Sequence, residues 1–385
     1  MNVKSNIKKI LFYTLTQRRN FIPILSIYFL TLNNTTATQI GIFTAIGYIA
    51  SFLLEIPSGY ISDNIGHKKT LIIAKIAMLL STFFYIIANE FYIYTLGTIF
   101  QSISLALVSG TKESFMHETL TDLNREKDYS KIMGKIGANA SIFSAILALL
   151  LPFLTKIDLI LPIKIYLIVD IIGLIIATTL ITPLSTEKIT KENKIKIKTI
   201  IKKSYNIGLL PIAIFTGAII GFATSLPPFR TPYLEELGLP LIYMGVSMAL
   251  SRVIWFLVGN KIKLIEKIKL KNLMKFEIIF FPIMFILMSI FNNPYVVLTI
   301  SAISVGYMWG RSSIFTGHIL ENHIFDKKYK ASILSIKSQI EKIFNIIIAV
   351  VIGIIMNYSY KLGHLSAGII LFSILIPTYF FIKKK

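Results

Sequence analysis

Of the 385 residues, 54% are hydrophobic and only 15% are charged, and the mean hydropathy is +0.70. That leaves too little polar surface to cover a soluble globule, so the composition points to a polytopic membrane protein. The net charge of +21 would suggest nucleic acid for a soluble chain, but in a membrane protein Lys and Arg hold loops in the cytoplasm beside anionic lipid, and no nucleic-acid partner is expected.

Segments long enough to cross about 30 Å of hydrocarbon are predicted at residues 11–32, 39–61, 69–89, 91–117, 132–154, 162–183, 207–230, 240–259, 272–292, 294–316, 331–356 and 362–382. The fold class is therefore an all-α membrane protein with twelve transmembrane helices. The first segment lacks the small-residue cleavage site of a signal peptide and is read as a retained span. Arg18 and Arg19 interrupt it, and their side chains must snorkel to the cytoplasmic interface or face the bundle interior. In the seventh segment Pro227, Pro228 and Pro232 predict a break near the outer face, suited to a gate or to an ordinary helix end.

Alternate connections are basic: the N-terminus (Lys4, Lys8, Lys9), the turn with Lys68 and Lys69, the loop with Arg125 and Lys131, the Lys-rich stretch 188–203, the loop 261–271, the loop 327–330 and the C-terminal tail. The intervening connections carry almost no cations, with Lys156, Lys164 and Lys361 as exceptions. This alternation places both termini in the cytoplasm, with the chain in the cell membrane.

The longest polar stretch divides the spans evenly, giving an N-terminal six-helix bundle over 1–184, a cytoplasmic linker over 185–204 and a C-terminal six-helix bundle over 205–385. Ile195, Ile197, Ile200 and Ile201 could make part of the linker an amphipathic surface helix. An offset of 200 residues aligns Gly110, Phe115, Leu120, Tyr129 and Ile136 with Gly310, Phe315, Leu320, Tyr329 and Ile336, the mark of a parallel internal repeat.

A charge inside the bilayer costs on the order of 3 kcal/mol, so each intramembrane charge is a candidate site. Counting depth along the helices, Asp170, Arg252 and Glu341 lie nearest the middle and are candidates for handling protons or substrate. A carboxylate in a cavity that is alternately wet and dry can couple proton flow to a conformational cycle. Alternatively, Arg252 neutralises Asp170 or Glu341 as a structural pair, or Lys337 pairs with Glu341 four residues on. Lys75, Lys112, Glu113, Lys135, Glu277, Arg311 and Lys337 lie closer to the inner face and read mainly as pairs that lock it. Glu55 either braces a helix end or serves as a protonatable group in the inner half of the pathway, and Arg230 sits in the proline-rich break. Tyr28, Gln101, Asn139, Trp255, Tyr307 and Trp309 read chiefly as packing residues.

Between the second and third spans runs Gly59-Tyr60-Ile61-Ser62-Asp63-Asn64-Ile65-Gly66-His67-Lys68-Lys69-Thr70. Gly59 and Gly66 would allow close approach and a tight reversal, Asp63 could accept from a neighbouring helix N-terminus, and Lys68 and Lys69 pin the turn to one face. This stretch resembles the signature of the major facilitator superfamily, Gly-x-x-x-Asp-x-x-Gly followed by basic residues. Gly59, Asp63, Gly66, Lys68 and Lys69 match, and His67 stands where that family usually has Arg. The resemblance implies two six-helix halves that rock about a central cavity, a small-molecule substrate, protons as coupling ion and a monomer in the lipid bilayer. It also implies that the signature turn holds the cytoplasmic side shut.

Many proton-driven exporters of that superfamily carry an Arg ahead of a Gln-Gly pair in helix 4; here Thr98-Ile99-Phe100-Gln101-Ser102 keeps the Gln and lacks the Arg. The short members with Glu-Ile-Pro-x-Gly before the turn, as in Glu55-Ile56-Pro57-Ser58-Gly59, are the most similar. They imply secondary active efflux of drugs or amphipathic metabolites, with nutrient uptake, lipid translocation or a non-transporting receptor as alternatives. No enzymatic activity, cofactor or metal site is expected: the five histidines show no metal-ligand spacing, no nucleotide-binding loop is present, and no Cys is available as thiolate ligand or nucleophile.

Overall fold

A computed structural model describes residues 3–32, 35–125, 128–184, 209–260, 270–322 and 330–384. The fold is the expected all-α one. In hydrocarbon each backbone N–H and C=O must find a partner within its own segment, which leaves helices as the solution for these apolar runs. The helices are α1 (Ser5–Gln17), α2 (Ile22–Leu30), α3 (Ala37–Ile65), α4 (His67–Ile87), α5 (Phe91–Val108), α6 (Thr111–Asp122), α7 (Tyr129–Leu154) and α8 (Leu161–Thr179). They continue as α9 (Leu209–Ser225), α10 (Pro227–Glu236), α11 (Met244–Asn260), α12 (Leu270–Ile290), α13 (Pro294–Asn322), α14 (Lys330–Tyr358) and α15 (Tyr360–Lys384).

Among the described residues, 9 helical stretches and one bent pair are long and apolar enough to cross a membrane, which is consistent with twelve transmembrane helices once the interrupted first span and α13 are added. The first span is two helices rather than one, broken at Arg18–Phe21. The predicted break in the seventh is present: Leu210–Ser225 and Pro227–Glu236 meet at 43°. The linker 185–204 and the basic loops at 261–269 and 323–329 lie outside the described residues.

Two compact units emerge, one of Met1–Thr35 with Ile46–Lys191 and the other of Thr36–Ala45 with Glu192–Lys385. In the first unit α4 packs against α5 and α8, and α1 against α7 and α8. Ile10, Tyr13, Leu71, Phe115, Met116 and Leu120 form its buried core. In the second unit α11 packs on α13, α12 on α15 and α9 on α14. The α11/α13 crossing depends on two glycines: a Cβ at Gly306 would lie 2.6 Å from Ser251 O, and one at Gly310 2.6 Å from Val258 Cβ. Small residues of this kind let membrane helices approach closely.

Of the residues related by the 200-residue offset, Phe115 and Phe315 are both core positions, 0% and 1% exposed. Gly110 and Gly310 differ: Gly110 breaks the chain between α5 and α6 at φ 76°, whereas Gly310 lies inside the continuous α13. Two of the three exceptional cations have polar partners. Lys164 Nζ donates to Asp158 Oδ2 at 2.7 Å, and Lys361 Nζ donates to Asn292 Oδ1.

Candidate functional site

The interruption of the first span creates the site. After Gln17 the helix stops, Arg18 takes an extended conformation, and the last carbonyls of α1 have no helical partner. Lys75 of α4 supplies one: its Nζ donates to Thr16 O at 2.7 Å, a cation at a helix C-terminus where the dipole favours it. The same ammonium lies 3.3 Å from Asp170 Oδ1. Arg19, in the break itself, turns inward and grips Asp170 with both arms, Nη1 to Oδ2 at 2.9 Å and Nη2 to Oδ1 at 2.6 Å. Thr82 Oγ1 donates to Asp170 Oδ2 at 2.6 Å. Asp170 and Lys75 are each 0% exposed and Arg19 6%.

Two features make room for this cluster. Asp170 and Gly173 stand one turn apart on α8, and a Cβ at Gly173 would lie 2.4 Å from Lys75 Cε and 2.5 Å from Thr16 Oγ1, so a larger residue there would have to displace the lysine chain. Aromatic faces then supply π density: Arg19 lies 5.8 Å from the Phe21 ring and 5.6 Å from Tyr166, and Lys75 5.6 Å from Tyr13. Tyr166 OH accepts from Asn20 Nδ2 at 2.8 Å, and Ser144 Oγ donates to Asn20 Oδ1, extending the polar network to α7. Two cations face one carboxylate, so the cluster carries a net positive charge inside the first unit.

A second buried pair stands in the other unit. Arg311 Nε lies 3.2 Å from Glu277 Oε1, which also accepts from Tyr307 OH at 3.2 Å. Arg311 lies 4.5 Å from the Phe315 ring. This pair is less complete than the first, because Glu277 Oε2 and Arg311 Nη2 are buried without a hydrogen-bond partner among the described residues.

The remaining sequence candidates are distributed as follows. Asp170 is paired with Arg19 and Lys75, which corrects the alternative of a pair with Arg252; Asp170 belongs to the first unit and Arg252, half-buried on α11, to the second. Glu341 is joined to Lys337 four residues back. Glu113 pairs with its neighbour Lys112 at 3.3 Å and is 44% exposed, and Glu55 is half-buried on α3. Arg230 Nη1 donates to Ser301 Oγ at 3.2 Å. The Trp255 and Trp309 rings lie 6.1 Å apart at a tilt of 35°, both residues exposed, and Gln101 accepts from Tyr85 OH at 3.1 Å.

At the signature turn, Gly66 has φ 91° and makes the tight reversal between α3 and α4. Close approach is not its role nor that of Gly59: a Cβ at either would meet nothing within 4 Å, and Gly59 lies inside α3. The Asp63 side chain lies outside the described residues; Lys68 is half-buried and Lys69 exposed. His67 forms the contacts there. Its Nδ1 lies 2.7 Å from Ser62 Oγ and its Nε2 3.0 Å from Glu118 Oε1, tying the turn to α6.

Lys75 and the pair Glu277/Arg311 are residues that depth counting read mainly as inner-face pairs, and for Arg19 facing the bundle interior was one of two alternatives. Depth along a helix does not say which way a side chain faces. The signal that could have found them was charge balance: a deeply placed Asp170 requires a cation, and the two arginines interrupting the first span were the unexplained ones.

Comparison with known proteins accords with this architecture. Residues 10–336 match the family model described as Major Facilitator Superfamily. A stretch of 134 residues is 27% identical to the inner membrane transport protein YajR of Escherichia coli (strain K12), covering 35% of this chain and only 28% of that protein. In fold the chain is similar to the nucleoside transporter NupG, with a TM-score of 0.80 at 16% identity over 100% of this chain and 99% of that one. It is also similar to a D-xylose-proton symporter, with a TM-score of 0.72 at 13% identity over 99% and 97%. With most of its length inside the family model, the chain belongs to the major facilitator superfamily of membrane transporters.

Proposed function

We propose that this transporter exports drugs or amphipathic metabolites by alternating access, drawing on the proton gradient, as a monomer with both termini in the cytoplasm. The observation that carries the coupling is the Arg19–Asp170–Lys75 cluster, all three residues buried within a membrane-spanning unit. Buried ion pairs are poor stabilisers, because desolvation offsets their attraction, so such a cluster is better explained by a task than by stability. Breaking one leaves an uncompensated charge, at about 3–5 kcal/mol. A proton taken up by Asp170 as Arg19 and Lys75 release it removes the penalty on the carboxylate, provided that the two cations reach water or other partners as the cluster opens. Protonation and opening of the cluster are thereby linked, which is the requirement for a coupled cycle.

Direction is tested in everted membrane vesicles. Accumulation of an amphipathic dye driven by an inward-acid pH gradient, dependent on this protein, is the expected result. Accumulation only in right-side-out vesicles would overturn export in favour of uptake.

A further inference from the structure

Asp170 and Glu277 are both 0% exposed, yet their oxygens are filled differently. Asp170 Oδ1 faces Arg19 Nη2 and Lys75 Nζ, and Oδ2 faces Arg19 Nη1 and Thr82 Oγ1, so donors meet both oxygens. Glu277 has both of its contacts on Oε1, Arg311 Nε at 3.2 Å and Tyr307 OH at 3.2 Å. Its Oε2 has no donor among the described residues. A buried polar atom left unpaired calls for an explanation: a bound water, a ligand or a working group.

Size decides among these. Glu277 has no exposed surface and Arg311 only 1%, so no water-sized space touches Oε2, and an ion or an organic solute is larger still. The ligand that needs no space is a proton. Placed on Oε2, it disturbs neither contact on Oε1, where the carbonyl oxygen of the acid still accepts from Tyr307 and faces Arg311. The guanidinium then keeps its charge and loses its anion. Two aromatic faces offset part of that loss, Phe315 at 4.5 Å and Phe281 at 5.6 Å from Arg311.

The surrounding charges are few. On α12 itself Lys271 and Lys275 are exposed, and α13 brings Arg311 and Tyr307. The other helix packed on α12 is α15, with Tyr360, Lys361, His364 and Tyr379, and among the described residues none of these bonds to Glu277. Tyr307 is the half-buried member of the group, so the way in from water runs past its hydroxyl.

We propose that Glu277 is a second proton-binding site of this transporter. Its proton comes from water that reaches the pair past Tyr307 as the packing loosens during the cycle. The carboxylate becomes a neutral acid, and the pair changes from no net charge to one positive charge. The site lies in the second unit and rests neither on the direction of transport nor on coupling at Asp170.

The test is infrared spectroscopy of the purified full-length protein in detergent, made by cell-free synthesis with ordinary glutamate or with glutamate isotope-labelled in its side-chain carboxyl. Spectra are taken at pH values where exposed carboxyl groups are ionised, so the C=O stretch of a protonated acid reports a buried one. The expected band grows as pH falls, shifts with the label, disappears in Glu277→Gln and remains in Asp170→Asn. In Glu277→Asp it should no longer shift with the glutamate label. Absence of the band from the wild type would overturn the proposal, as would a band that survives in Glu277→Gln or keeps its label shift in Glu277→Asp. The band must also persist in Glu55→Gln, Glu113→Gln and Glu341→Gln; its loss in any of these would place the proton there instead, a readout that needs no change at Glu277. Transport without coupling at Asp170 would leave the band intact, so the two readings fail separately.

Discussion

Arg19 holds Asp170 by both carboxylate oxygens, at 2.9 and 2.6 Å, across 151 residues of sequence. The contact joins the break in the first span to the middle of α8. Two parallel charge-assisted bonds give this pair more strength and directionality than a single lysine contact could. Lys75 adds a second cation at 3.3 Å, so the carboxylate balances only half of the positive charge around it.

Removing the carboxylate should therefore be more damaging than removing one cation. Asp170→Ala leaves two buried positive charges without a partner and is expected to destabilise the protein by about 3–5 kcal/mol. Lys75→Met, which leaves the Arg19–Asp170 pair neutral overall, should cost markedly less. Chemical unfolding in detergent measures both; equal losses would show that Lys75 matters as much to the pair as Asp170 does.

Gly173 offers a steric test of the same cluster. A methyl group there would stand 2.4 Å from Lys75 Cε, so Gly173→Ala should displace the lysine and cost about 1–3 kcal/mol, the usual range for overpacking. A methyl group at Gly134 or Gly137 of α7 would meet nothing within 4 Å, and alanine at either should be neutral or stabilising by up to about 1 kcal/mol. A thermal-shift series over the three variants separates the outcomes, and an unaffected Gly173→Ala would mean that Lys75 does not occupy this channel.

The pair in the second unit should behave as a coupled unit. With Glu277 Oε2 and Arg311 Nη2 buried and unpartnered among the described residues, Glu277→Gln alone takes the carboxylate from Arg311, while the double variant Glu277→Gln with Arg311→Met removes both charges. A double-mutant cycle on unfolding free energy is expected to return a coupling of roughly 1–3 kcal/mol, the double variant being more stable than Glu277→Gln. Additive losses would argue that the two side chains do not share a charge interaction.

Outside the membrane, Asp158 has its carboxyl held below the usual range, first by the hydrogen bond from Lys164 and then by the one from the Ile160 amide. A depressed carboxyl pKa contributes stability above its unfolded value, and this contribution fades as pH falls through the folded one. Lys164→Gln should move Asp158 back towards an ordinary carboxylate, read by carboxyl-carbon NMR titration. No movement would assign the shift to the backbone amide alone.

Much of the architecture was legible from hydrophobic run length, because in a bilayer the run is the helix. The prolines at 227, 228 and 232 marked a break that is present as a 43° bend. What run length could not show was the break in the first span, where the apolar run continues past two arginines instead of ending the helix cleanly, and Arg19 points inward. Asp170 could be picked out because it stood alone deep in α8, yet its partners lie 151 and 95 residues away and only the fold brings them together. Gly59 misled for the opposite reason: a motif glycine suggests close packing, but here its surroundings are open. Glu277 was hidden by its apparent depth, which says nothing about the face on which it sits.

The most direct test of the central claim is transport in proteoliposomes by the wild type and Asp170→Asn, measured both as counterflow exchange and as accumulation driven by a pH gradient. Coupling at Asp170 predicts that the variant still exchanges substrate but no longer accumulates it. Gradient-driven accumulation by Asp170→Asn at the wild-type level would contradict it.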